Sequence, residues 1–283
     1  MRRTRLALVL GVGWTLLAPA AARADEAAGH YNLALQHKRE GKIPEAIAEC
    51  EKAISFRKDY AAAHLTLGNL HRTQGNYQKA AGEFEIAAKL QPKDAIAHGN
   101  LGAAYVRLKR LDEGIVELET ATKLDPKDYE ALLSLGVAYK QKGDTKHAVE
   151  ALEKATELKP GDAQGWRNLG VAKTKTDPDG AVKAFKKAIA ITPNDGPLHF
   201  DLGAVYRRQR MVPEAIAEYE LAVSKDNRYA PAYYDLGILY SQEKKTAEAK
   251  DAFENYLKYG VKEDAASRKD AEDRLKTFKG MGK

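Results

Sequence analysis

Little in this chain can be cross-linked or made to hold a metal. Its 283 residues include a single cysteine, Cys50, so an internal disulfide is impossible, and its seven histidines form no zinc-knuckle spacing with it. A disulfide-stapled or zinc-ribbon scaffold is excluded. Beyond the first two dozen residues, no apolar run approaches the roughly 20 residues that span a bilayer. Also missing are a Gly-x4-Gly-Lys-Ser/Thr phosphate loop, a His-Glu-x2-His helix and a Gly-x-Ser-x-Gly elbow. Neither a catalytic role nor a cofactor or metal is expected from these residues. Disorder is excluded as well, because 44% hydrophobic and 30% charged residues make a foldable soluble composition.

The start of the chain reads as an export signal. Arg2, Arg3 and Arg5 form a basic head, Leu6 to Leu17 an apolar run, and Ala22-Arg23-Ala24 a small-x-small cleavage site before Asp25. A signal peptide is therefore expected over residues 1–24, and the mature protein is expected in the periplasm or secreted. The segment holds four arginines and no acid, so a formal charge of +6 falls to +2 without it. Nucleic acid as a partner loses its main electrostatic support, and stable membrane insertion of the mature chain is not expected.

The rest of the sequence is periodic. Leu67-Gly68, Leu101-Gly102, Leu135-Gly136, Leu169-Gly170, Leu202-Gly203 and Leu236-Gly237 recur in steps of 34, with one step of 33. Ala46, Ala80, Gly114, Ala148, Ala181, Ala215 and Ala249 keep the same register, followed four residues later by Cys50, Phe84, Leu118, Leu152, Phe185, Tyr219 and Phe253. Pro92, Pro126, Pro160 and Pro193 close four units. Within one unit His98, Leu101, Gly102 and Tyr105 share a helical face, and the glycine lets a second helix approach closely. Proline and an acid in Ile43-Pro44-Glu45 and Val212-Pro213-Glu214 start that second helix.

These residues resemble the tetratricopeptide repeat family, most literally in Trp166-Arg167-Asn168-Leu169-Gly170 and Ala80-x3-Phe84. The resemblance covers residues 27–260. It implies an all-α, right-handed superhelical solenoid of about seven helix-turn-helix repeats. Departures are local: Ala34 replaces a glycine, Gly114 replaces an alanine, and the pattern fails after Tyr259. The fifth unit is one residue short at Thr176-Asp177-Pro178-Asp179-Gly180, so an altered inter-helix turn is expected there. Residues 261–279, with Ala271, Leu275 and Phe278 on one face, are expected to form a polar capping helix, with frayed residues from Gly280 on.

The resemblance also implies where partners bind, on the inner wall lined by the first helices. That stripe reads Tyr31, Leu65, Gly99, Leu133, Arg167, Phe200 and Tyr234, with Asn69 among the residues one turn later and Asn32, Asn100, Asn168, Asp201 and Asp235 in an adjacent row. Apolar anchoring is expected from Leu65, Leu133, Phe200 and Tyr234, backbone hydrogen bonds from Asn100 and Asn168, and orientation from Arg72, Arg107 and Arg207. Packing of the apolar residues against the next repeat is an equal alternative. Basic residues ending the first helices, Lys140, Lys175 and Arg208 among them, favour an acidic segment, although the helix dipole alone also favours cations there. The lysine–asparagine clamp by which some family members grip a carboxylate is absent, because Tyr31 with Leu35, Leu65 with Asn69 and Leu133 with Val137 occupy its positions.

The expected function is thus a non-catalytic scaffold or adaptor that holds an extended or helical segment of another cell-envelope protein. Two other roles stay open: a self-assembling structural protein, and a solute or glycan binder using Tyr31, Tyr233 and Tyr234. The histidines stand in aromatic rows and are expected to pack, and Cys50, in the row of Phe84 and Phe185, is expected to be a buried, inert thiol.

Overall fold

The computed structural model describes residues 20–261 and 263–281. The expected export signal lies outside the described residues except for 20–24, which begin the first helix. Among the described residues there are fifteen helices and no strand. They run as antiparallel pairs: α1 (Ala20–Arg39) with α2 (Ile43–Phe56), α3 (Ala61–Thr73) with α4 (Tyr77–Leu90), and α5 (Ala95–Arg107) with α6 (Leu111–Leu124). Then come α7 (Tyr129–Lys142) with α8 (Thr145–Leu158) and α9 (Ala163–Lys173) with α10 (Pro178–Ile191). The last pairs are α11 (Gly196–Arg208) with α12 (Val212–Lys225) and α13 (Ala230–Gln242) with α14 (Thr246–Tyr259), followed by α15 (Ala265–Met281). None of these helices is long and apolar enough to cross a membrane.

The chain divides into two compact units, one up to residue 97 and one from residue 98. In the first, Ala34, Ala46, Cys50, Leu67 and Leu70 form a buried cluster. In the second, Leu118, Ala131 and Leu135 pack together, Leu132, Leu152 and Leu169 form the next layer, and Phe185, Leu202, Tyr219 and Leu236 another. Each layer draws on consecutive pairs, because one hairpin is too small to bury its own apolar face.

The periodic glycine does what its register predicts. A Cβ built on Gly136 would lie 2.5 Å from Cγ of Leu152, and one on Gly203 would lie 2.7 Å from the Tyr219 ring. In the third pair Gly114 replaces alanine because the helices approach more closely still: a Cβ on Gly102 would meet the Gly114 carbonyl at 2.8 Å.

The closing prolines have an unforeseen companion two residues on. Asp128 accepts the Ala131 amide at 3.1 Å, Asp162 that of Gln164 at 2.8 Å, and Asp195 that of Leu198 at 3.4 Å, so each begins the next first helix as an N-cap. Asp94 does the same for α5 through Ile96 at 2.9 Å. The signal was present in the sequence as Pro-x-Asp in register with the repeat.

At the other end, α15 packs on α13 and α14 through Ala271, Leu275 and Phe278. Arg268 donates to the Leu257 and Gly260 carbonyls at 3.2 and 2.8 Å, satisfying acceptors that the end of α14 leaves open. The helix continues through Gly280 and Met281, residues expected to fray.

Candidate partner-binding groove

Two adjoining clefts mark the face formed by α7, α9 and α11 in the second unit. The larger, of about 540 Å³, is lined by Lys140, Gln164, Arg167, Asn168, Val171 and Asp201, with Ala163, Thr192, Asp195 and Leu198 at its edges. The smaller, of about 440 Å³, shares Lys140, Val171 and Asp201 and adds Thr145, Thr174, Lys175, Ala204 and Arg208. The helical period explains the grouping: Gln164 and Asn168 lie one turn apart, as do Arg167 and Val171, so α9 presents two adjacent stripes to the same space.

Charge is unevenly satisfied here. Arg167 donates from Nε to Asp201 at 2.8 Å, joining α9 to α11. Burial nevertheless holds the Asp201 carboxyl above the usual carboxylate range, with the Arg167 charge opposing that effect. Lys140 donates to the Asn168 amide oxygen at 3.3 Å, a neutral acceptor. Its ammonium is pushed below the ordinary lysine value by burial first and by the nearby Arg167 charge second. Val171 stands 40% exposed between the two clefts, an apolar contact point that an aqueous surface does not need.

Of the residues expected on the inner wall, Arg167, Asn168 and Asp201 are in this site. Leu133 is not an exposed anchor: it is 8% exposed and packs in the layer of Leu132, Leu152 and Leu169. The stripe lies close enough to the neighbouring hairpin for a leucine to be covered, which is the packing alternative. Phe200 is half-buried, its ring set 5.4 Å from Tyr219 and 5.3 Å from Tyr229. Tyr234 is covered by the cap, donating to Asp270 at 2.9 Å and packing beside Tyr256.

Arg207 donates to Asp235 at 2.7 Å across to α13, so the basic row and the acidic or amide row, read separately from sequence, meet each other. The same 28-residue separation joins Lys140 to Asn168, and that recurrence was the available clue. Arg107 is exposed and Asn100 half-buried in the second unit.

In the first unit, Tyr31 bonds Thr66 at 3.1 Å and packs on Tyr60, and Asn69 donates to the Leu65 carbonyl at 2.9 Å. Arg72 is exposed and Leu65 half-buried there. Tyr31 and Tyr234 are thus engaged in repeat packing, as is Tyr233, which donates to the Asn227 carbonyl at 3.3 Å and stacks near Tyr259.

Cys50 is buried, and desolvation pushes its thiol up to about 12. The histidines do more than pack: His64 Nδ1 lies 2.7 Å from Glu83, His98 2.6 Å from Glu117 and His199 2.8 Å from Glu218, each bridging the two helices of its pair. Among the described residues no group of three or more His, Cys, Asp or Glu is placed to hold a metal ion.

Comparison with known proteins agrees with this geometry. No curated protein matches the chain. A tetratricopeptide repeat protein from Parabacteroides merdae superposes with a TM-score of 0.64 at 17% identity over 90% of this chain and 99% of that one. YrrB, described as a TPR protein with an unusual peptide-binding site, gives 0.57 at 20% identity, covering 69% and 97%. A MamA crystal structure gives 0.53 at 27% identity, covering 56% and 93%. Tetratricopeptide repeat profiles match residues 65–119 and 171–231, and again 129–162 and 230–259, while a TPR repeat profile matches 104–143. With paired helices in a 34-residue period, a glycine at the close contact of six of the seven pairs and these matches over most of its length, the chain belongs to the tetratricopeptide repeat family.

Proposed function

We propose that this protein is a non-catalytic interaction scaffold of the cell envelope, and that the α7–α9–α11 face of its second unit holds an extended or helical segment of a partner protein. One observation carries the reading: two adjoining clefts, lined by side chains from three successive first helices, flank an exposed Val171 and a cation held by a neutral acceptor. Repeat proteins present such faces as rigid surfaces because neighbouring pairs hold each helix in place. The peptide-binding site for which YrrB is described supports the same use of the fold. The envelope part rests on the export-signal pattern of residues 1–24. It is compatible with α1, in which the first buried residue among the described side chains is Ala27, beyond the expected cleavage after Ala24.

A photo-crosslinking residue at Val171, with a control at the 59% exposed Val116 of α6, tests the reading in intact cells. The expected result is one partner protein captured from Val171 and not from Val116. Capture from Val116 alone would move the working surface to the second helices, and adducts of the chain with itself would favour self-assembly.

A further inference from the structure

Six hairpin turns pass through a left-handed residue: Gly41, Gly75, Lys109, Gly143, Arg210 and Lys244, with φ from 59° to 87°. The fifth turn contains none among the described residues. The missing residue of the 33-residue step is the left-handed one. In its place the amides of Thr176 and Asp177 both donate to the Lys173 carbonyl, at 3.1 and 2.8 Å, and Asp177 caps α10 at once through Gly180. As a result α9 has 11 residues where α7 has 14 and α11 has 13. The smaller cleft lies against this shortened turn, which contributes Thr174 and Lys175, while α7 contributes Lys140 and α11 Arg208.

Three cations therefore face one space whose own carboxylate, Asp201, is already bound by Arg167. Lys175 and Arg208 pair with no carboxylate among the described residues, and Lys140 reaches only the amide of Asn168 there. Lys140 is half-buried, and a desolvated cation without a counter-charge is unfavourable, so an incoming anion removes that penalty, while the exposed Lys175 and Arg208 add positive charge to the same cleft.

We propose that this cleft is an acid-binding subsite, which takes two carboxylates from an acidic segment of a partner protein, one on Lys140 and one on Lys175 and Arg208. It rests on the scaffold reading and specifies the chemistry of the bound segment. Two cationic positions supplied by different elements, Lys140 by α7 and Lys175 with Arg208 by the turn and α11, select paired acids over a single one, and Val171 in the same lining supplies apolar contact to the residue that follows. The charges also steer encounter, so binding weakens as salt screens them.

The test is fluorescence polarisation of the full chain with fluorescein-labelled hexaglutamate, and with hexaglutamine as the neutral probe. Hexaglutamate is expected to bind and hexaglutamine not to bind. Lys140→Gln and the double variant Lys175→Gln with Arg208→Gln are each expected to weaken binding at least about tenfold. Lys225→Gln on α12 is expected to leave binding within twofold, and Lys140→Arg to keep most of it. Far-UV circular dichroism establishes that each variant is folded. Equal loss in Lys225→Gln, or no loss in the cleft variants, would overturn the subsite. Inorganic phosphate bound in place of hexaglutamate, with the same variants sensitive, would make it a phosphate pocket and overturn the acidic segment.

The scaffold reading fails separately. A partner captured from Val171 in the Lys140→Gln variant as efficiently as in the parent keeps the groove and removes the acid-binding role. Hexaglutamate binding that depends on Lys140, with no partner captured at Val171, keeps the acid-binding subsite and removes the groove.

Discussion

His64 shows how one side chain satisfies two constraints at once. Its Nε2 lies 2.9 Å from the Lys58 carbonyl and its Nδ1 lies 2.7 Å from Glu83. Trp166 meets the corresponding carbonyl, that of Pro160, through Nε1 at 2.8 Å, so the histidine keeps the aromatic's donor and adds a bridge to the second helix. Replacing Glu83 by Ala leaves a buried ring nitrogen without its partner, and the expected loss in urea unfolding is about 1–3 kcal/mol. Two inner-wall carboxylates, the half-buried Asp201 and the buried Asp235, act in the opposite sense. Burial raises Asp235 as it raises Asp201, despite the neighbouring arginines. A carboxyl raised in the folded state binds its proton there first. The folded state therefore gains stability as pH falls through that raised value toward the ordinary one, and loses it above. Asp235→Asn should remove part of this gain, measured as a flatter stability-against-pH curve between pH 7 and 4; an unchanged slope would contradict the burial effect. Leu133 and Val171 separate packing from binding: Leu133→Ala is expected to cost about 2–5 kcal/mol. Val171→Ala should change stability by less than about 0.5 kcal/mol while weakening partner capture.

Between helices, turn geometry decides what a hairpin costs. Lys109, Arg210 and Lys244 adopt the left-handed conformation at φ 65°, 63° and 59° in positions where three other turns use glycine. An L side chain there is disfavoured by about 1–2 kcal/mol, partly offset by the extra unfolded-state freedom of glycine. Arg210→Gly is therefore expected to raise stability by about 0.5–1 kcal/mol, read from the denaturation midpoint at constant m-value. The fifth turn offers the complementary experiment. A glycine inserted after Thr176 restores the 34-residue step, and is expected to shrink the cleft lined by Lys175 and to weaken hexaglutamate binding while helicity persists. The elements themselves were largely legible beforehand. The shared face of His98, Leu101, Gly102 and Tyr105 marks α5, and Ile43-Pro44-Glu45 and Val212-Pro213-Glu214 mark the starts of α2 and α12 to the residue. The one-residue deletion was visible too, but its consequence was not, because the shortened turn borders a cleft together with Lys140 and Arg208, each more than 30 residues away in sequence.

At the scale of the molecule, layered cores shared between neighbouring pairs make the end of the array a vulnerable place. Tyr234, Phe253 and Tyr256 lie beneath α15, closed by the Tyr234–Asp270 bond and by Arg274 on the same carboxylate at 2.7 Å. Removing residues 264–283 would expose this aromatic surface. The truncated protein is expected to unfold at lower urea and to self-associate in light scattering, whereas Asp270→Asn should loosen the cap without association. A mature chain recovered from a periplasmic extract is expected to begin at Asp25, and an intact Met1 in that fraction would remove the export reading.

The family, the helix pairs and their register are legible in the residues alone, because a 34-residue pattern of small and large apolar residues is local information repeated, and each hairpin folds by the same close contacts. So is the burial of the Cys50 thiol. Which inner-wall residues remain available follows only from the packing of the pairs. Leu133, Tyr234 and Arg207 share the apolar, aromatic and basic character of a binding wall, yet a neighbouring hairpin, the cap and Asp235 engage them. Lys140, Val171, Lys175 and Arg208 are left facing open space. That outcome depends on distances between helices more than 25 residues apart, which periodicity places side by side but does not resolve into pairs.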